Sequence, residues 1–155
     1  LICEIQDRKS KLDIRQSYLK YTRMSTSRSA LLEERLVSFA AGVISVVESL
    51  PATVAGRHVA NQLVRSGTSP APNYAEARSA ESRKDFVHKL KIALKELRET
   101  HVWLRIIAKK ELCRPSDFED TLRECDELIA VFVASTRTLS GEEKTAEARM
   151  SSPDA

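Results

Sequence analysis

The segment Ser82–Lys110 constrains this chain more than any other. Phe86, Leu90, Ala93, Leu97, Thr100, Leu104 and Ile107 recur in steps of three and four. That spacing places them on one face of an α-helix. The opposite face carries Lys84, His88, Lys91, Lys95, Arg98, Val102, Arg105 and Lys109, and is almost wholly basic. One long helix therefore has a core side and a cationic side. A strand would scatter both sets over two faces, because its side chains alternate with period two.

The rest of the chain has room for a few more such helices. With 155 residues it has the length of one domain with a real core. Only 4 Gly and 5% aromatics suit long helices better than a sheet with many turns. The net charge is +3, unevenly spread. Residues 78–114 hold 11 Lys/Arg against 5 Asp/Glu, whereas 115–155 hold 4 against 10. A basic third helix beside an acidic fourth is expected to pair partly by charge. Cys3, Cys113 and Cys125 form no Cys-x-x-Cys, which argues against a disulfide framework or a zinc ribbon and fits a reduced cytoplasm. The longest uncharged run, Leu36–Val47, is too short for a membrane span.

Local signals divide the chain. The first Met is Met24, and the polar segment Met24–Ala30 reads as a natural start ahead of a helix. Residues 1–28 are expected to be an N-terminal extension, non-native or disordered, and their first 23 residues supply the whole net charge. A first helix is expected over Ala30–Leu50 with Ser29 as N-cap, ending at Pro51. Its core stripe is Leu32, Leu36, Phe39, Val43, Val46 and Leu50. A second stripe, Val37, Ala40, Ala41, Ile44 and Val47, widens the apolar arc, so the helix is expected either to sit deep in its own domain or to face another subunit as well.

A second helix from about Thr53 carries Val54, Val59, Leu63 and Val64, then meets Gly67, Pro70 and Pro72. A proline inside a helix removes a hydrogen bond, so a kink or restart is expected, with Ser69 capping a piece from Pro70 to about Ser79. The third helix starts at Ser82, where Ser82-Arg-Lys-Asp85 resembles a capping box. The fourth is expected to follow the box Ser116-Asp-Phe-Glu119, with a stripe of Phe118, Leu122, Cys125, Ile129, Phe132, Thr136 and Leu139, and to stop at Gly141. Residues 142–155 read as a disordered tail. Residues 29–141 are thus expected to form an all-α, up-down antiparallel four-helix bundle, broken near Gly67–Pro72.

Several polar positions at fixed spacing add a resemblance. Arg65-Ser-Gly-Thr-Ser69, Asn73-x-x-Glu-Ala77, Asp85-Phe86, Lys95-Glu96-x-x-Glu99-Thr100 and Trp103-Leu104 cover about forty residues. They resemble the bacterial four-helix-bundle family named after open reading frames in 23S rRNA intervening sequences. A relative of that family is the accessory variability determinant of diversity-generating retroelements, a pentamer that works with a reverse transcriptase and nucleic acid. The resemblance implies a small homo-oligomeric helical protein, pentameric by that analogy, without enzymatic activity. Pro70 and Pro72 depart from the family pattern and put a straight second helix in doubt.

Two candidate sites emerge. Lys84, Lys91, Lys95, Arg98, Arg105 and Lys109 lie along roughly 40 Å of one helix face at 1.5 Å per residue. Such a strip can follow a phosphate backbone, or be the solvated outer face of a bundle helix. On the flank, Lys89, Ile92, Glu96, Glu99, Trp103, Ile106 and Lys110 set two carboxylates among isoleucines and the only Trp. Partly buried carboxylates need donors, and Arg65, Asn73 and His101 are the candidates. The favoured expectation is a structural polar lock of Arg65, Asn73, Glu76, Glu96, Glu99 and Trp103, between helices or between subunits.

The alternative for the flank is a carboxylate–metal site. Its nearest match to the Glu-x-x-His pairs of di-iron bundles is Asp85-x-x-His88, whose His lies on the basic face. No phosphate loop, nucleophile elbow or zinc motif is present in the sequence. Ser66, Thr68 and Ser69 suggest a phosphate nest, but capping beside Pro70 explains them more simply. The expected function is a cytoplasmic, non-catalytic oligomeric adaptor without cofactor or metal. Its expected partners are itself, RNA or DNA and, as a special case, a reverse transcriptase. The competing expectation is a protein-binding scaffold with no nucleic-acid role.

Overall fold

The computed structural model describes residues 27–150, with side chains from 27 to 139. The residues before 27 and after 150, and so most of the expected extension and the end of the expected tail, lie outside the described residues. The described residues are all-α: α1 (Arg28–Ser49), α2 (Val54–Thr68), α3 (Pro70–Arg78), α4 (Arg83–Lys110) and α5 (Pro115–Met150). The segments α2 and α3 are the two halves of the expected second helix. The chain divides into two compact units, Leu1–Arg35 and Leu36–Ala155, and the packing below belongs to the second.

The apolar stripes form the core. Leu36, Phe39, Val43 and Val46 of α1 are buried, as are Val59 and Leu63 of α2. From α4 come Leu90, Ala93, Leu97, Leu104 and Ile107, and from α5 Phe118, Cys125, Leu128 and Phe132. A fully buried leucine contributes about 1.5–3 kcal/mol relative to an exposed one. Phe86 and Leu122 are only half-buried, while Val87, Leu94 and Leu128 go deeper than their stripes implied. The helix α4 is the hub, packing against α2, α3 and α5. Tyr74 of α3 meets Phe132 of α5 edge to face, with ring centroids 5.9 Å apart.

Helix boundaries follow local chemistry, with four departures from expectation. At the start of α1 the capping hydroxyl is Ser27, which accepts from the Ala30 N–H at 3.2 Å, not Ser29. Thr53 caps α2, accepting from the Gly56 N–H at 3.0 Å, and Ser82 caps α4, accepting from the Asp85 N–H at 3.1 Å. Ser69 does not cap α3. Its backbone is helical (φ −69°, ψ −33°) and its hydroxyl accepts from Asn73 Nδ2 at 2.9 Å. The α2–α3 break is therefore slight, because Pro70 occupies the first turn, where its missing N–H costs little.

Ser116 does not cap α5 either. Pro115 opens that helix, and Arg114 donates to Asp117 from Nε at 3.2 Å and from Nη2 at 3.0 Å. Those bonds hold the Asp117 carboxyl below the usual carboxylate range. Nor does Gly141 stop α5, which runs on to Met150, so the expected tail is helical as far as that residue. A stopping glycine acts through φ > 0, and no glycine among the described residues adopts it. The positive φ falls instead on Glu111 (50°) after α4, where its N–H donates to Ala108 and that of Leu112 to Ile107.

The helix does break within Gly67–Pro72, as expected, and Gly67 has a packing task as well. A Cβ there would lie 2.6 and 2.8 Å from the two methyls of Val43. The missing side chain lets α2 approach α1 closely. Gly42 of α1 similarly faces the Thr121 hydroxyl of α5, which would stand 3.1 Å from an added Cβ.

Candidate nucleic-acid interface

Because α4 buries its Leu90–Leu97–Leu104 side, the helical period turns its basic residues outward. Lys84, Lys91, Lys95, Arg98, Arg105 and Lys109 are all exposed, as are His88 and Val102 between them. Among the described residues none of the six pairs with an acidic side chain. Among the described side chains of α5 no acid reaches the six; there one acidic contact with α4 is Asp126 Oδ1, 3.0 Å from His101 Nε2 and off the strip. Among the described residues the expected pairing of the two helices by charge thus leaves the strip untouched. Val102, Arg105, Ile106 and Lys109 line an open depression of about 220 Å³, which sequence periodicity gave no means of foreseeing.

The flank behaves differently from the expected lock. Glu96, Glu99 and Trp103 are half-buried, but Arg65 is exposed and reaches neither carboxylate. The Asn73 amide donates to Ser69, at the start of its own helix. Glu76 accepts from Lys89 Nζ at 2.6 Å, and that hydrogen bond raises the lysine's pKa above its ordinary value. Trp103 meets His58 of α2 edge to face, centroids 5.8 Å apart. Within one chain these six residues are therefore not one network.

The polar tie between α2 and α4 is Ser66 with Thr100. The Thr100 hydroxyl lies 3.0 Å from Ser66 Oγ and 2.8 Å from the Glu96 carbonyl oxygen. Ser66 in turn donates to the Gln62 carbonyl at 3.0 Å. Both residues are fully buried, and every buried side-chain polar atom among the described residues has a partner. The signal was in the sequence, since Thr100 sits on the apolar stripe, where a hydroxyl demands a mate. Ser66 was masked by its neighbours, which imitate a phosphate nest. Ser66 and Thr68 instead bond carbonyls one turn back, at 3.0 and 2.7 Å.

Neither cysteine described here forms a disulfide. Burial pushes the Cys125 thiol up to about 12, and its S–H donates to the Leu97 carbonyl at 3.3 Å, as befits a packing residue. Among the described residues no three His, Cys, Asp or Glu side chains gather as a metal site would require. No helix among them is long and apolar enough to cross a membrane.

The described residues define a class: an all-α fold whose central helix carries on its outer side a cationic row that no described acid pairs. The chain belongs to the 23S rRNA-intervening sequence protein family, whose pattern matches residues 33–134. It is similar to a crystal structure of a protein with unknown function from the S23 ribosomal protein family of Bacteroides thetaiotaomicron VPI-5482. The two share 28% identity with a TM-score of 0.63, over 72% of this chain and 99% of that one. Comparison with curated proteins finds no match.

Proposed function

We propose that this protein is a non-enzymatic, oligomeric helical-bundle adaptor that binds RNA or DNA through the outer face of α4. The observation that carries this reading is the row of six exposed cations, none paired with an acid among the described residues. A solvated outer helix face usually mixes signs, so that i,i+4 pairs stabilise it. This row contains no acid, and it leaves the charge free for phosphates. Membership of a family named for a ribosomal RNA element supports the same direction.

In this reading the four helical rods, with α2 and α3 as one, run alternately up and down. Self-association uses α1, whose Val37 and Ile44 are 42% and 44% exposed, together with the flank of Glu96, Glu99 and Trp103. The unpartnered carboxylates there would find donors on a second copy, so the lock would form between subunits. By the retroelement analogy the assembly is a pentamer that repeats the cationic row, works in the cytoplasm without a cofactor and, as a special case, assists a reverse transcriptase. Repetition of a weak contact raises avidity without any new chemistry.

The exposed apolar side chains of α1 also favour a second reading, a protein-binding scaffold with no nucleic-acid role. Native mass measurement before and after nuclease separates the two. Loss of mass on digestion supports the adaptor. A partner that stays bound through nuclease, with no affinity for RNA or DNA, supports the scaffold.

A further inference from the structure

The row on α4 is specific in what it lacks. Between Lys84 and Lys109 it presents four more lysines and arginines, one imidazole, His88, and one aliphatic side chain, Val102. It holds no Phe, Tyr or Trp on which an unpaired base could stack, and no Asn, Gln, Ser or Thr to bond a base edge. The nearest indole, Trp103, is half-buried and turned against His58. Single-strand binders depend on base–aromatic stacking, about 1–3 kcal/mol per base. Specific readers need amides or paired forks at base edges. Of such devices the row offers one imidazole, His88, and two guanidinium groups, Arg98 and Arg105, seven residues apart, beside four lysines, so phosphate charge is the larger part of what it presents.

A ligand held mainly by its phosphates is held better where charge is denser. A duplex carries one charge per roughly 1.7 Å of axis, twice that of either strand alone. Each phosphate contact also releases more counterion from a duplex, about 0.9 against about 0.7 for a single strand. The layout fits two strands as well. The cations fall into three groups, Lys84, then Lys91–Lys95–Arg98, then Arg105–Lys109, separated by gaps of seven residues or about 10 Å of helix. The major groove of B-DNA, about 12 Å wide, is of the same order as those gaps. The depression at Val102 and Ile106 lies beside the second gap, an apolar floor suited to sugar edges. Glu96 and Glu99 flank the row and repel a polyanion that strays from it.

Resting on the nucleic-acid reading above, we infer that the partner is double-stranded and is bound without regard to sequence. Fluorescence anisotropy on the full chain tests this with three labelled probes: a mixed-sequence 20-bp RNA duplex, the same duplex with scrambled sequence, and a 20-nucleotide oligouridine. The duplex is expected to bind at least fivefold tighter than oligouridine, and scrambling to change affinity by less than twofold. If all six cations of one row meet phosphates, log affinity falls with log salt at a slope of about −5. A duplex preference below fivefold, or a scrambling effect above twofold, overturns the inference while leaving nucleic-acid binding in place. Absence of salt-sensitive binding to any probe removes the underlying reading and this inference with it.

Discussion

The two sides of α4 obey different rules. Its inner side is dry, close-packed and fully satisfied, down to the hydroxyl pair of Ser66 and Thr100. Its outer side is charged, with cations that no acid of the described chain answers. The first is explained completely by folding. The second contributes nothing to folding, since like charges in a row repel one another. A feature that the fold does not require, yet positions along one edge, is where function is best sought.

This contrast can be broken by substitutions on each side. Leu97→Ala should have the largest effect, about 2–5 kcal/mol of stability, because Leu97 is fully buried at the hub. Denaturant titration reads it, and a loss below 1 kcal/mol would mean that α4 is not central. Next comes the triple reversal K91E/K95E/R98E. Affinity for nucleic acid should fall at least a hundredfold, with circular dichroism and melting unchanged. Unaltered binding would clear the row of any role.

Gly67→Ala tests the close approach of α1 and α2 and should cost about 1–3 kcal/mol by overpacking against Val43. Thr100→Val should cost about 1 kcal/mol, because it removes the hydroxyl that bonds Ser66. Restoring stability with Ser66→Ala in the same chain would sharpen the assignment. The smallest effect is expected at Glu111, where glycine at φ 50° should stabilise by about 0.5–1 kcal/mol without touching either side of α4. A destabilised E111G would contradict the left-handed helix end.

The inner side was legible from sequence because burial imposes a period. Leu90, Leu97, Leu104 and Ile107 could be placed by counting. The outer row was equally legible, being its complement. Pairwise polar contacts were not. Arg65, Asn73 and Glu76 lie at spacings that allow a lock with Glu96 and Glu99, but long side chains choose partners by three-dimensional reach, and Lys89 took Glu76. Beside proline the breaks were legible but the caps were not: a helix does restart at Pro70, without a cap from the Ser69 side chain, and Pro115 displaced the Ser116 cap. The break fell within Gly67–Pro72 as expected, but the packing role of Gly67 was not legible. The sequence shows that a side chain is missing, but not whether the backbone or a neighbour needs the space.

The edge-on contact of Trp103 with His58 has a practical consequence. The chain has 1 Trp, so its emission reports from one place, the seam where α2 leans on α4. Detachment of α2 would shift that emission toward the red as the indole meets water. The protein thereby carries its own unlabelled optical gauge of whether that seam stays shut while ligand occupies the neighbouring outer face.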